Sequence, residues 1–355
     1  MNPSCDAFLH ALREPDVMAG FDPQTWDRVI RQARAAGLLG RLGALASGFS
    51  GRLPDAVWRH LEAALTLAEQ QRRAVHWELQ HLAHALAGTE GPVVLLKGAA
   101  YAAADLAPAA GRLFTDIDLL VPRARLGATE SALRLAGWIT SSHDAYDLRY
   151  YREWMHELPP MQHIRRQTWL DLHHNILPET ARRKTQPALF LAASLPLTQF
   201  PRFSIPEPAD QVLHSATHLF HEGEWQHGLR DLVDLDALLR AYGADPAFWP
   251  RLLARAETLN LGRPLYYALR YARVLLRTPI PEDAVTNCPE RPGRLATALL
   301  DRLFLPAFAS AHAECRTLLS GPAGFVLYVR SHWLRMPVHL LIPHLLRKAV
   351  KPADA

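Results

Sequence analysis

Cysteine is scarce in this sequence. Only Cys5, Cys288 and Cys315 occur, with no Cys-x-x-Cys pair and no regular spacing. That excludes a small disulfide-stapled scaffold and a four-cysteine zinc site, and it reads as a protein of the reducing cytoplasm. Long apolar runs are also missing: no uncharged stretch approaches the roughly 20 residues that a membrane-spanning helix needs. The start, Met1-Asn2-Pro3 followed by Asp6, Glu14 and Asp16, lacks the pattern of a secretory signal. No Gly-x-Ser-x-Gly elbow occurs, and no Gly-Lys-Ser/Thr order follows Gly91 to Gly98. Acidic residues vanish between Glu314 and Asp354, where Arg316, Arg330, Arg335, Arg347, Lys348 and Lys351 stand. The small net charge of +4 therefore sits at the C-terminal end, and the rest of the chain is slightly acidic.

What is present is an ordinary globular balance, 49% hydrophobic against 21% charged, which leaves little room for disorder outside the ends. At 355 residues the chain is too long for one ordinary core and predicts two or three packed units. Residues 1–88 read as a helical region. After Pro54-Asp55 an apolar stripe of Leu61, Leu65, Ala68, Val75, Leu79, Leu82 and Leu86 predicts one long helix, ended by Gly88 and Gly91-Pro92. The pattern then changes. Val93 to Leu96 is a short buried-strand run, Ala99 to Leu106 a helix, Asp116 to Val121 a second strand, and Arg123 to Ala136 a second helix. Trp138-Ile139 opens a further strand, and residues 154–164 and 168–174 pair as a hairpin. Residues 89–205 are thus expected to form an α/β (α+β) core with a small mixed sheet. From Pro206 to Ala355 the chain reads as a helical domain with a basic tail, its helices punctuated by proline.

The residues that carry chemistry are Thr115-Asp116-Ile117-Asp118-Leu119-Leu120-Val121. On a strand, positions two apart share a face, so Asp116 and Asp118 project together while Ile117 and Leu119 turn to a core. Two adjacent carboxylates repel unless a cation lies between them, and hard oxygen donors suit Mg²⁺ or Mn²⁺. Upstream, Leu95-Leu96-Lys97-Gly98 ends a strand at a helix opening, where backbone N–H groups and a lysine can meet a phosphate. Arg112 stands four residues before Asp116, with Asp105 as a nearby acid to pair with. Downstream, Trp169-Leu170-Asp171-Leu172-His173 carries a third acid, with Asp144, Asp147 and Glu157 as competitors for that place.

These motifs together resemble the polymerase-β-like nucleotidyltransferase superfamily, and most closely a bacterial family of uncharacterised nucleotidyltransferases. The resemblance covers roughly residues 60 to 240. It implies a nucleotidyltransferase core flanked by N-terminal helices and a C-terminal helical domain. It also implies a two-metal reaction moving a nucleoside monophosphate from an NTP, with ATP the default, to an acceptor hydroxyl on a small molecule or protein. On that resemblance Asp116, Asp118 and Asp171 are the catalytic and metal-binding carboxylates, and Lys97, Gly98 and Arg112 the nucleotide-binding set. The chain departs from the superfamily at Gly98-Ala99, where many members have Gly-Ser. That departure keeps an alternative open: an inactive nucleotide- or partner-binding protein on the same fold.

Histidine supplies the other signals. His214 and His218 at i,i+4, with His221-Glu222 a turn later, read as a polar helix face against the catalytic sheet rather than a zinc site. His156-Glu157 is similar to the start of a helical zinc motif, but Pro159-Pro160 bar the helix and no histidine falls at 160. The C-terminal stretch from His332 to Lys348 is basic and amphipathic. It reads first as the last helices of the helical domain, and second as a weak contact with an anionic membrane surface or with nucleic acid.

Overall fold

The computed structural model describes residues 5–140, 145–222, 225–309 and 311–342. Among these residues the chain opens with helices α1 (Asp6–Arg13), α2 (Pro23–Ala35), α3 (Leu39–Ala46) and α4 (Asp55–Ala85). Asp22 starts α2 by accepting the Thr25 N–H at 2.8 Å, with Pro23 at the first helical position. The stripe of α4 turns inward as its spacing demands: Leu61, Leu79, Leu82 and Leu86 are fully buried, with Ala68 and Val75 close behind. Gly111, at φ +70°, lets the loop before the acidic strand lie directly on α3. A Cβ there would stand 2.1 Å from the Gly40 carbonyl oxygen.

Among the described residues the sheet has seven strands: β1 (Val94–Leu95), β2 (Asp116–Leu120), β3 (Trp138–Thr140), β4 (Met161–His163), β5 (Trp169–His173), β6 (Leu195–Pro196) and β7 (Ser204–Ile205). Their order is β3-β4-β5-β2-β1-β7-β6. The pairs β2·β5 and β1·β7 are parallel and the other four antiparallel, so the sheet is mixed. Helices α5 (Lys97–Ala103), α6 (Leu126–Leu135), α7 (Ala145–Trp154) and α8 (Pro187–Ala192) fall between strands. Helices α9 (Pro208–Glu222), α10 (Gly228–Tyr242), α11 (Phe248–Thr258), α12 (Gly262–Leu276), α13 (Glu282–Thr286), α14 (Arg294–Phe308) and α15 (Ser320–Arg335) follow.

The fold is thus mixed α and β, an α+β arrangement, with the strands confined to residues 94–205. The sequence pattern anticipated β1, β2, β3, the β4–β5 hairpin and the helices α9 to α12. It did not anticipate α7, α8, β6 or β7. Two-residue strands such as β6 and β7 carry no detectable period. One continuous buried cluster runs from Phe8 to Leu327, so the helices before and after the strands in the chain share one core. Tyr101 of α5 and Ser215 of α9 meet at 2.6 Å inside it.

Cys5 and Cys315 are a disulfide pair, with Cα atoms 5.4 Å apart, and only Cys288 is a free, buried thiol. A separation of 310 residues hides such a pair from any reading of spacing. Among the described residues no helix is long and apolar enough to cross a membrane. The basic residues Arg347, Lys348 and Lys351 lie outside the described residues.

Candidate active site

Strand alternation builds the site. Ile117 and Leu119 of β2 and Leu170 and Leu172 of β5 are all buried, which anchors one face of both strands in the core. The opposite face then carries Asp116 and Asp118 on β2 and Asp171 and His173 on β5. Parallel pairing sets the register at Asp116↔Trp169, Asp118↔Asp171 and Leu120↔His173. Register partners on neighbouring strands sit about 4.8 Å apart, so the Asp118 and Asp171 side chains rise side by side. Asp116 is exposed at the strand entrance and accepts a hydrogen bond from the Thr115 hydroxyl at 3.0 Å. Asp118 is buried and Asp171 half-buried. Of the competitors for the third acid, Asp144 lies outside the described residues, as does the side chain of Asp147.

The ladder also delivers Lys97. The Leu96 N–H donates to the Asp118 carbonyl at 3.0 Å, and the next residue turns the chain into α5. Lys97 makes that turn at φ +40°, a left-handed conformation costly for a residue with a Cβ. Burial alone would push the Asp118 carboxyl up. The Lys97 ammonium, a hydrogen bond from His173 and the charge of His218 outweigh burial and hold it well below the usual carboxylate range. Asp171 goes the other way: burial, then the charges of Asp118 and Glu157, push its carboxyl up to about 8. Two neighbouring acids are thus driven apart in acidity, as happens when like charges share a site.

His173 is the hub of this face. Its Nε2 lies 3.0 Å from Asp118 Oδ1 and its Nδ1 3.2 Å from Glu157 Oε2. Burial pulls the imidazole down, but the hydrogen bond to Asp118 and the charge of Glu157 prevail, and its pKa is pushed up to about 9. His214 of α9 faces the same cluster; burial, then Lys97 and His218, keep it well below the ordinary histidine value. The histidine face of α9 therefore packs toward the acids. Sequence reasoning did not find the role of His173 or its contact with Glu157. The contact forms because residues 156–158 run antiparallel to the end of β5, with a Glu157↔His173 bridge and a Leu158 N–H to Leu172 carbonyl bond of 2.9 Å.

Arg112 is tied to the C-terminal helices. Its Nε donates to Asp234 Oδ2 of α10 at 2.8 Å, and both side chains are nearly buried. Asp105, the nearby acid that the sequence offered as a partner, pairs instead with Arg72 at 3.5 Å. The guanidinium covers Gly98: a Cβ on Gly98 would stand 2.7 Å from Arg112 Nη1. The glycine is thus needed to seat Arg112 behind the start of α5, between Tyr101 and Phe114.

The sheet of this α+β chain thus presents clustered carboxylates beside a lysine. Residues 22–277 match the family described as an uncharacterised nucleotidyltransferase, and the chain belongs to that family. Membership supports nucleotidyl transfer as its general activity. The match reaches beyond the 60–240 stretch in which the motifs were legible, from the start of α2 to just past α12. No curated protein and no solved structure matches the chain.

Proposed function

We propose that this protein moves a nucleoside monophosphate, AMP from ATP as the default donor, onto a hydroxyl of a small-molecule or protein acceptor. The catalytic unit in this reading is a polymerase-β-like core at residues 89–205, with the helical regions 1–88 and 206–355 shaping the acceptor side. The observation that carries the reading is the register pairing of Asp118 with Asp171 beside Lys97. The donor set fits a hard divalent cation: it is all oxygen, and burial together with the neighbouring charges of Asp118 and Glu157 raises Asp171. Asp116, Asp118 and Asp171 would hold Mg²⁺ or Mn²⁺ ions, which when bound supply charge neutralisation at the phosphate oxygens.

The residues of the chain then take defined parts. Lys97 offers its ammonium to the triphosphate. Gly98 keeps the start of α5 free of a side chain, and Arg112 steadies that start from behind through Asp234. Asp171 accepts the proton of the acceptor hydroxyl. The freed oxygen bonds to the α-phosphorus, the bond from that phosphorus to the bridging oxygen breaks, and pyrophosphate leaves with the electron pair. His214 and His218 line the opposite wall on α9.

A second reading has its own observation. The position that a side chain at residue 98 would take is filled by Arg112 Nη1, and Asp234 holds that arginine, so it is committed to the fold rather than to a phosphate. That arrangement suits a protein that binds a nucleotide or partner without turnover. Pyrophosphate release from each NTP, with Mg²⁺ and a panel of acceptors, decides between them. The enzyme reading expects release that Asp118→Asn abolishes in a variant that still folds. Release that survives Asp118→Asn refutes the assigned role. An NTP-dependent rise in melting temperature without pyrophosphate supports the second reading.

A further inference from the structure

A second group of donors meets next to the acid pair. His156, Glu157 and His173 each offer one ligand atom, and these atoms lie within 4.8 Å of one another. Glu157 Oε2 stands 3.2 Å from His173 Nδ1 and 3.9 Å from His156 Nε2. Donors held about 2.1 Å from a tetrahedral ion are about 3.4 Å apart. Two edges of a three-ligand face are therefore close to their metal-bound length before any ion arrives.

The backbone holds this geometry. His156 lends its carbonyl to the N–H groups of His174 and Asn175 at 2.8 and 3.2 Å, and Leu158 donates to Leu172. Pro159-Pro160 prevent the segment from coiling into a helix. The second histidine thus arrives from β5 rather than from one helical turn further on. Both rings are buried, His156 at 7% and His173 at 5% exposure, while Glu157 is half-buried. His173 also shows the usual support of a metal-bound imidazole: its other nitrogen lies 3.0 Å from Asp118, where it can donate to the carboxylate.

We propose that His156, Glu157 and His173 form a site for Zn²⁺, or a divalent first-row ion of like preference, separate from the carboxylates Asp116, Asp118 and Asp171. Two imidazoles and one carboxylate make a borderline donor set that favours such an ion over Mg²⁺, which takes hard oxygen ligands and water. Three protein ligands leave a fourth position for water or a substrate group. Through His173 the ion also orients Asp118. The proposal stands on the donor geometry and does not require the chain to be an active transferase.

The test uses the full-length, tag-free protein stripped with a chelator. Zn²⁺ is titrated by calorimetry, and Co²⁺ is added in a parallel sample to read visible absorption. With Mg²⁺ in excess to occupy the carboxylates Asp116, Asp118 and Asp171, the expected result is one tight Zn²⁺ site per chain and the absorption of a four-coordinate nitrogen–oxygen site. His156→Ala and Glu157→Gln should each weaken Zn²⁺ binding by about 100-fold, a loss at the upper end of those seen even for outer-shell partners. Asp116→Asn should leave Zn²⁺ binding intact. Melting curves of the metal-free variants confirm that they fold, and His156→Gln serves if the alanine variant does not. The wild-type titration tests the idea even if no variant folds. Three outcomes overturn it: no stoichiometric Zn²⁺, affinity unchanged in both site variants, or a loss in Asp116→Asn equal to that in His156→Ala. A bridging protonated His173 between Asp118 and Glu157, with no ion, gives the first of these.

Discussion

Replacing Asp171 by asparagine tests the electrostatic account of the acid pair. Burial and the charges of Asp118 and Glu157 push the Asp171 carboxyl up to about 8. In the unfolded chain it titrates near about 3.9. Between these values the native state binds a proton that the unfolded state lacks. Stability therefore falls as pH rises through this window. A gap of about 4 units corresponds to roughly 5 kcal/mol at most. Asp118 shares the coupling and moves in the opposite direction, so about 2–3 kcal/mol is expected for Asp171 itself. For a chain of 355 residues, an unfolding entropy of about 2.1 cal/mol/K per residue turns this into a shift of about 3–4 °C. Asp171→Asn keeps the shape and removes the titration. Melting with a chelator present should find the variant close to wild type near about pH 5 and more stable by that amount near about pH 9. His173, pushed up to about 9, also loses stability as pH rises, but it is present in both proteins and largely cancels. Adding Mg²⁺ should close the gap at high pH, because a cation then takes the place of the proton. A difference between the two proteins that does not change with pH would refute the account.

Lys97→Ala should weaken ATP binding by about 1.5–3 kcal/mol and adenosine binding much less, because the lysine faces Asp118 and offers a charge-assisted contact only to phosphate. Calorimetry with both ligands measures it, and equal losses would remove the phosphate role. Arg112→Ala should destabilise the fold by about 3–5 kcal/mol, since it leaves Asp234 buried without its partner. Adding Asp234→Asn should recover part of that loss in denaturant melts, whereas a mild, unrecovered effect would show that the pair is not structural. Thiol titration of the denatured, unreduced protein should find one free group, Cys288, rather than three. Cys5→Ser should lower stability by about 2–4 kcal/mol, the usual worth of a native disulfide.

Local pattern carried much of the catalytic reading. Alternation in Asp116 to Leu120 and in Trp169 to His173 marks two strands with acids on one face, because a strand repeats every two residues wherever it lies. The stripe from Leu61 to Leu86 marks a helix for the same kind of reason, a period of 3.6 set by the backbone. The family was legible from the same short motifs, and the match to residues 22–277 extends it. None of these depends on what the segment packs against.

Partners across the chain were another matter. That Asp118 stands beside Asp171 rather than a residue earlier or later is a fact of register, set when β2 and β5 pair over a gap of 48 residues between their ends. Arg112 could be placed next to a phosphate by its spacing, yet it is held by Asp234, an acid 122 positions away. His156 and Glu157 lack a second histidine one helical turn on, and only the fold brings His173 of β5 within reach of them. Cys5 and Cys315 looked isolated and meet across 310 residues. The sequence by itself determined which residues form strands and helices and which types of side chain their faces carry, since those follow from backbone geometry over a few residues. Tertiary structure alone decided which charges, rings and thiols face one another, since that depends on how distant segments bury their apolar surfaces together.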